Sequence, residues 1–164
     1  MAEADAVFMR RALALAREAA AAGEVPVGCV IVRGGEILAE GRNRRETDKN
    51  ALAHAELEAI GAACRRLGGW RLSGCTLYVT LEPCSMCAGA IVNARVPRVV
   101  YGAKDARAGA MGSVLNVNSY PLNHKAEVTG GVEEAECAAL LRSFFLARRA
   151  AQEHGKGAGH ETDG

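Results

Sequence analysis

The sequence predicts an α/β protein of three layers, with helices on both faces of a mixed, five-stranded sheet. Two observations carry this. The segments VGCVIV and EILAEG, joined by RGG, read as a strand hairpin, and beyond residue 50 helical and β-rich stretches alternate. The pattern leaves strand order open. A chain of 164 residues suits a single core, placed here at residues 1–150.

Residues 4–22 carry helical spacing that Gly23 can terminate, and the hairpin follows. RNRRETDKNAL, residues 42–52, is polar and irregular. ALAHAELEAIGAACRRL returns to helical spacing through Leu57, Ile60 and Leu67. TLYVTL suits a central buried strand, and PCSMCAGAIVNARV opens with proline, which favours helix starts. RVVYG is the next strand. The long stretch AKDARAGAMGSVLNVNSYPLNHKA is rich in Gly, Asn and Ser and reads as an exposed binding loop. EVTGGV supplies an edge strand, and residues 133–150 a last amphipathic helix. Residues 151–164 lack apolar content and are expected to be a disordered tail.

The formal net charge is +1, so a global positive field is excluded as a basis for nucleic-acid binding. Local patches are not: of 20 basic residues 16 are arginine, clustered at Arg42, Arg44, Arg45 and at Arg142, Arg148, Arg149. Arginine matches phosphate geometry better than lysine. Arg10, Arg11 and Arg17 interrupt the apolar N-terminal stretch, which excludes a signal peptide or membrane span there. With no export signal, six cysteines point to a reducing cytoplasm and to metal chemistry.

A Cys-x-x-Cys pair alone is shared by zinc ribbons, redox motifs and chance. Its context here is HAE, residues 54–56, upstream of PCSMC, residues 83–87. His54, Cys84 and Cys87 make three candidate ligands. Three protein ligands with an open fourth position is the catalytic zinc pattern, and Glu56 is the carboxylate that can move the protons of an activated water. Within a helix His54 and Glu56 would point about 200° apart, so HAE must lie in a first turn, with the helix N-terminus toward the metal. By the same argument Pro83 leads into a first turn that brings Cys84 and Cys87 to one side. Cys29, Cys64, Cys75 and Cys137 read as small core residues.

HAE with PCSMC matches the H-x-E and P-C-x-x-C signature of zinc nucleobase deaminases. Together with TLYVTLEPCSMCAGAI, RVVYGAKDARAGAMGS, LNH and ECAALLRSFFLARR, the chain resembles the bacterial tRNA-specific adenosine deaminase family over roughly residues 5–150. The resemblance implies a cytidine deaminase-like sandwich, a homodimer, one Zn²⁺ per subunit, and hydrolysis of the wobble adenosine in an arginine tRNA anticodon stem-loop to inosine and ammonia. It implies zinc ligation by His54, Cys84 and Cys87, proton shuttling by Glu56, a base contact from Asn43, and nucleotide contacts from Asp105 and Asn123. Val27 and Pro26 are expected at the pocket mouth. Phe144 or Phe145, one of the two, is expected to stack on an unpaired base while Arg148 and Arg149 hold phosphate. A free-nucleobase or nucleoside deaminase, such as one resembling guanine deaminase, would use the same zinc and Glu56 but would not require the FFLARR helix. A non-catalytic zinc-stabilised RNA-binding protein would have no use for Glu56.

Overall fold

A computed structural model describes the backbone of residues 2–162 and the side chains of residues 3–154. Helix α1, Ala2–Ala21, buries Met9, Ala12, Leu13, Ala16 and Ala19, a stripe at three- and four-residue spacing, and ends at Gly23, whose φ is +82°. Strands β1, Gly28–Arg33, and β2, Glu36–Arg42, pair antiparallel. Their turn places Gly34 and Gly35 at φ +59° and +77°, as a two-residue type I′ turn requires.

Helix α2, Ala55–Leu67, strand β3, Cys75–Leu81, helix α3, Ser85–Asn93, and strand β4, Arg98–Ala103, follow in alternation. After a long loop, strand β5, Glu127–Thr129, and helix α4, Glu134–Thr162, complete the fold. The sheet order is β2-β1-β3-β4-β5. β1 pairs antiparallel with β3, whereas β3 with β4 and β4 with β5 run parallel. The sheet is therefore mixed, β3 is central and β5 is an edge.

Residues two apart on a strand share a face, and this alternation divides the core in two. Cys29, Ile31, Leu77, Val79 and Val99 pack against α2 and α3, whereas Val30, Val32, Tyr78 and Val100 pack against α1 and Cys137 of α4. Two glycines set how closely the layers meet. A Cβ on Gly28 would run into the α1 backbone at Ala12 and Ala16, and one on Gly41 into the α2 backbone at Ala55 and Ala59. Gly41 thus seats the start of α2 directly on β2. Across the sheet, buried Asp5 accepts hydrogen bonds from Tyr78 Oη (2.8 Å) and from both terminal nitrogens of Arg98 (2.8 Å each), tying α1 to β3 and β4.

Helix α4 runs on past residue 150, where composition predicts disorder. Ala147 through His154 are exposed, so this stretch rests on the helix propensity of Ala, Arg, Gln and Glu and not on packing. Residues 163–164 of that tail lie outside the described residues. Cys29, Cys75 and Cys137 are buried and Cys64 half-buried, as expected of core thiols. Among the described residues no helix is long and apolar enough to cross a membrane.

Candidate active site

Two helix N-termini converge at the carboxyl end of β3. His54 is the N-cap of α2, with extended backbone (φ −83°, ψ 151°), and its carbonyl accepts the first helical bond from Glu58 N at 3.1 Å. Cys84 is the N-cap of α3 (φ −74°, ψ 177°), and its carbonyl accepts from Ala88 N at 2.8 Å. Neither side chain caps its own helix. Both turn instead toward one point, which Cys87, in the first turn of α3 and fully buried, completes.

His54 Nδ1 lies 3.7 Å from Cys84 Sγ and 3.5 Å from Cys87 Sγ, and all three donor atoms fall within 4.8 Å of one another. Zn–S and Zn–N bonds of about 2.3 and 2.0–2.1 Å at the tetrahedral angle put sulfur and nitrogen about 3.6 Å apart. The donor set therefore fits zinc in type and spacing, with three protein ligands and one position left for water.

The protonation pattern follows from these contacts. The hydrogen bond from the Cys87 thiol, helped by His54, lowers Cys84 and favours its thiolate. Cys87, which donates that bond and is buried, is raised. The hydrogen bond with Cys84 raises His54 above 6.5. Burial pushes the Glu56 carboxyl, in a residue 4% exposed, up to about 7. A buried carboxyl raised in this way is suited to accepting and returning a proton.

His54, Glu56 and Cys84 form part of the wall of a pocket of about 150 Å³. Val25, Val27, Asn43, Arg45, Asp105 and Ala108 also line it. It shares Val25, Leu81 and Asp105 with a wider groove of about 890 Å³, flanked by Lys104, Arg107, Arg142, Phe145, Arg148 and Arg149.

The model of the MafB19-like deaminase family matches residues 3–149. The tRNA-specific adenosine deaminase of Bacillus subtilis (strain 168) is 50% identical over 142 residues, covering 86% of this chain and 88% of the relative. The chain belongs to this deaminase family. A structure from a study of A-to-I editing by tRNA:A34 deaminases at the wobble position of transfer RNA superposes with a TM-score of 0.80 at 45% identity, over 82% of this chain and 98% of that one. A guanine deaminase from Nitrosomonas europaea superposes with a TM-score of 0.72 at 28% identity, over 85% and 83% of the two chains.

In this deaminase the sequence-predicted residues fall into three groups. His54, Glu56, Cys84 and Cys87 meet at one point, with HAE and PCSMC each at a helix start. Val27, Asn43 and Asp105 line the pocket, but Asn43 and Asp105 also hold its rim. Asn43 donates from Nδ2 to Val25 O (3.2 Å) and accepts from Arg45 N (3.2 Å). Asp105 Oδ1 accepts from Arg107 N (3.0 Å) and Ala108 N (3.1 Å), the turn-forming role open to an aspartate. Phe145, Arg148 and Arg149 line the groove, whereas Phe144 is half-buried and sits edge-on to Phe145, centroids 5.5 Å apart.

Pro26 and Asn123 stand apart. Pro26 is buried and lines neither cavity; Val25 and Val27 on either side do. Asn123 is exposed on the long loop and likewise lines neither.

Around the pocket, sequence reasoning missed two buried carboxylates. Glu24, 1% exposed, accepts from Glu46 N (3.0 Å), Thr47 N (2.6 Å) and Thr47 Oγ1 (2.7 Å), pinning the polar segment that carries Arg45. Glu82, 2% exposed, binds the loop that carries Asp105 and Ala108. Each reads as an ordinary solvated acid in sequence. The one signal for Glu82 was a charge placed directly between a buried strand and the PC dipeptide.

Proposed function

We propose that the protein hydrolyses adenosine to inosine at the wobble position of a tRNA anticodon, that of an arginine tRNA, with one zinc per subunit held by His54, Cys84 and Cys87. The observation that carries this reading is the buried Glu56 carboxyl beside three zinc-type donors in a pocket that opens into a groove flanked by arginines. The family supports it: the Bacillus relative bears the name of the tRNA enzyme, and the superposed structure comes from work on wobble editing.

Bound at the three donors, zinc would supply a water acidified enough to attack at neutral pH. Glu56 accepts a proton from the attacking water and passes it to adenine N1, which would otherwise have to carry negative charge as the C6–O bond forms. It then moves the second proton to the exocyclic nitrogen, so that the C6–N bond breaks and ammonia leaves. Val25 and Val27 give the flipped base an apolar wall. Asn43 contacts the base with the amide capacity its rim bonds leave over.

Outside the pocket, Phe145 stacks on an unpaired base, and Arg148 and Arg149 hold phosphate. Asp105 contacts a nucleotide where pocket meets groove. Asn123 would meet RNA only beyond both cavities. The enzyme works in the cytoplasm as a homodimer, and the exposed Val114, Leu115, Tyr120 and Leu122 of the long loop are what a second copy would cover.

The test is substrate choice. Unstacking a base costs least in a loop, and only the loop substrate gains binding energy from the groove. An arginine tRNA anticodon stem-loop with A at the wobble position should be converted, the same loop with C there hardly at all, and free adenosine, guanine or cytidine far more slowly. Comparable rates on a free base and on the stem-loop would replace this reading with a small-molecule deaminase.

A further inference from the structure

Glu82 sits between the end of β3 and the Pro83-Cys84 step, and among the described residues its carboxylate makes no ion pair. Four donors from one loop surround it instead. Oε1 accepts from Asp105 N (3.2 Å) and Ser113 Oγ, and Oε2 from Met111 N (3.0 Å) and Ser113 N (3.1 Å). The loop also closes on itself and on the metal-site segment, through Gly109 N to Asp105 O (2.9 Å) and Ala110 N to Pro83 O (2.8 Å). Gly109 is what lets the loop come so near: a Cβ there would lie 2.5 Å from the Glu82 carboxyl and 2.6 Å from Asp105 O.

We propose that Glu82 is a positioning residue for the RNA substrate, its carboxylate the template on which residues 105–113 fold, so that Asp105, Arg107 and Ala108 are held at a set distance from Cys84. This rests on the tRNA reading above. Asp105 and Ala108 line the pocket and Asp105 and Arg107 the groove, so the loop meets the substrate beside the reacting base. The metal donors and Glu56 are held by α2 and α3. A loop set wrongly should therefore weaken substrate binding and leave the chemical step largely intact.

Glu82→Gln makes the test sharp, because an amide keeps the volume but replaces one acceptor by a donor. Both Oε2 partners are backbone N–H groups, and Oε1 faces the Asp105 N–H. Either amide orientation thus sets a donor against a donor. Gly109→Ala displaces the same loop by steric means, at a residue that lines neither cavity, and serves if the first variant folds poorly.

Steady-state kinetics on the stem-loop, zinc content and amide hydrogen exchange would be measured for both variants and the unaltered protein. The expected result is a KM raised about ten- to a hundredfold with kcat little changed, the signature of lost uniform binding. Zinc should stay near one per chain, and Met111 and Ser113 amides should exchange faster in both variants. An unchanged KM in a folded Glu82→Gln protein overturns the proposal, as does loss of zinc with a fall in kcat at constant KM. If the unaltered protein does not convert the stem-loop, the tRNA reading fails. Exchange then decides the template role on its own: unaltered protection of Met111 and Ser113 in the variants overturns it.

Discussion

Replacing Glu56 by Gln separates proton transfer from every other task of the site. Gln fills the same volume and titrates nowhere near neutral pH, and Glu56 is not among the three donors that fit zinc. Fold and metal content should therefore survive. General acid–base catalysis by one positioned group contributes about 10²–10⁴-fold. The structure argues for the upper end. At 4% exposure, in the first turn of α2 and walled by Cys84 and His54, the carboxyl cannot be replaced by buffer or bulk water reaching the same spot. A loss near 10⁴ raises the barrier by about 5 kcal/mol. The assay is single-turnover deamination of the stem-loop with saturating, zinc-loaded enzyme, so that binding and product release drop out. Turnover within tenfold of the unaltered enzyme, with zinc at one per chain, would refute the assignment of both proton transfers to Glu56.

Three further outcomes are expected. His54→Ala should purify with little zinc, as measured by elemental analysis; retention of stoichiometric metal would remove His54 from the ligand set. Arg148→Ala and Arg149→Ala should each weaken binding to all anticodon-loop sequences alike and flatten the plot of log affinity against log salt by about 0.7 per lost single-strand phosphate contact, and an unchanged slope would make them ordinary surface charges. Asp5→Asn tests the network behind the sheet. Hydrogen bonds from Arg98, with that from Tyr78, hold Asp5 below its ordinary 3.8. Its contribution is therefore complete above pH 3.8 and lost as pH falls through the lower folded value. Urea unfolding near pH 7 should show a loss of about 3 kcal/mol, the low end for a broken buried pair because Arg98 retains some access to water, and the difference should shrink in acid. A difference independent of pH would show that the Asp5 charge is not what stabilises.

The convergence of His54, Cys84, Cys87 and Glu56 was legible because each motif is local. HAE and PCSMC both span helix starts, with His54 and Cys84 at the N-caps, so a few consecutive residues decide where their side chains point, and the two-residue step from His54 to Glu56 was itself the evidence for a helix end. Most elements were legible for a similar reason: the apolar, β-rich runs around Ile31 and Leu77 and the glycine turn at 34–35 are short-range signals. The order β2-β1-β3-β4-β5 was not, because pairing between β1 and β3 joins residues far apart in the chain. Rim residues were half legible. Val27 faces the pocket, and extended alternation points to Val25, not Pro26, as its companion. Glu24 and Glu82 stayed hidden because a buried carboxylate that neutral donors satisfy looks like a solvated one until those donors are placed. The same holds for Asn123, whose position depends on how the long loop folds.

Both helices that build the site leave their own first turns without side-chain capping. Ser, Thr, Asp or Asn at those two positions would suit α2 and α3 better by about 0.5–2 kcal/mol apiece, yet His54 and Cys84 occupy them. A stability screen blind to activity should therefore single out residues 54 and 84 as places to improve, and every improvement it found there would remove a donor from the candidate metal set. For anyone engineering a hardier form of this protein, these are the two helix starts to leave alone, and stabilising changes belong on the far face of the sheet.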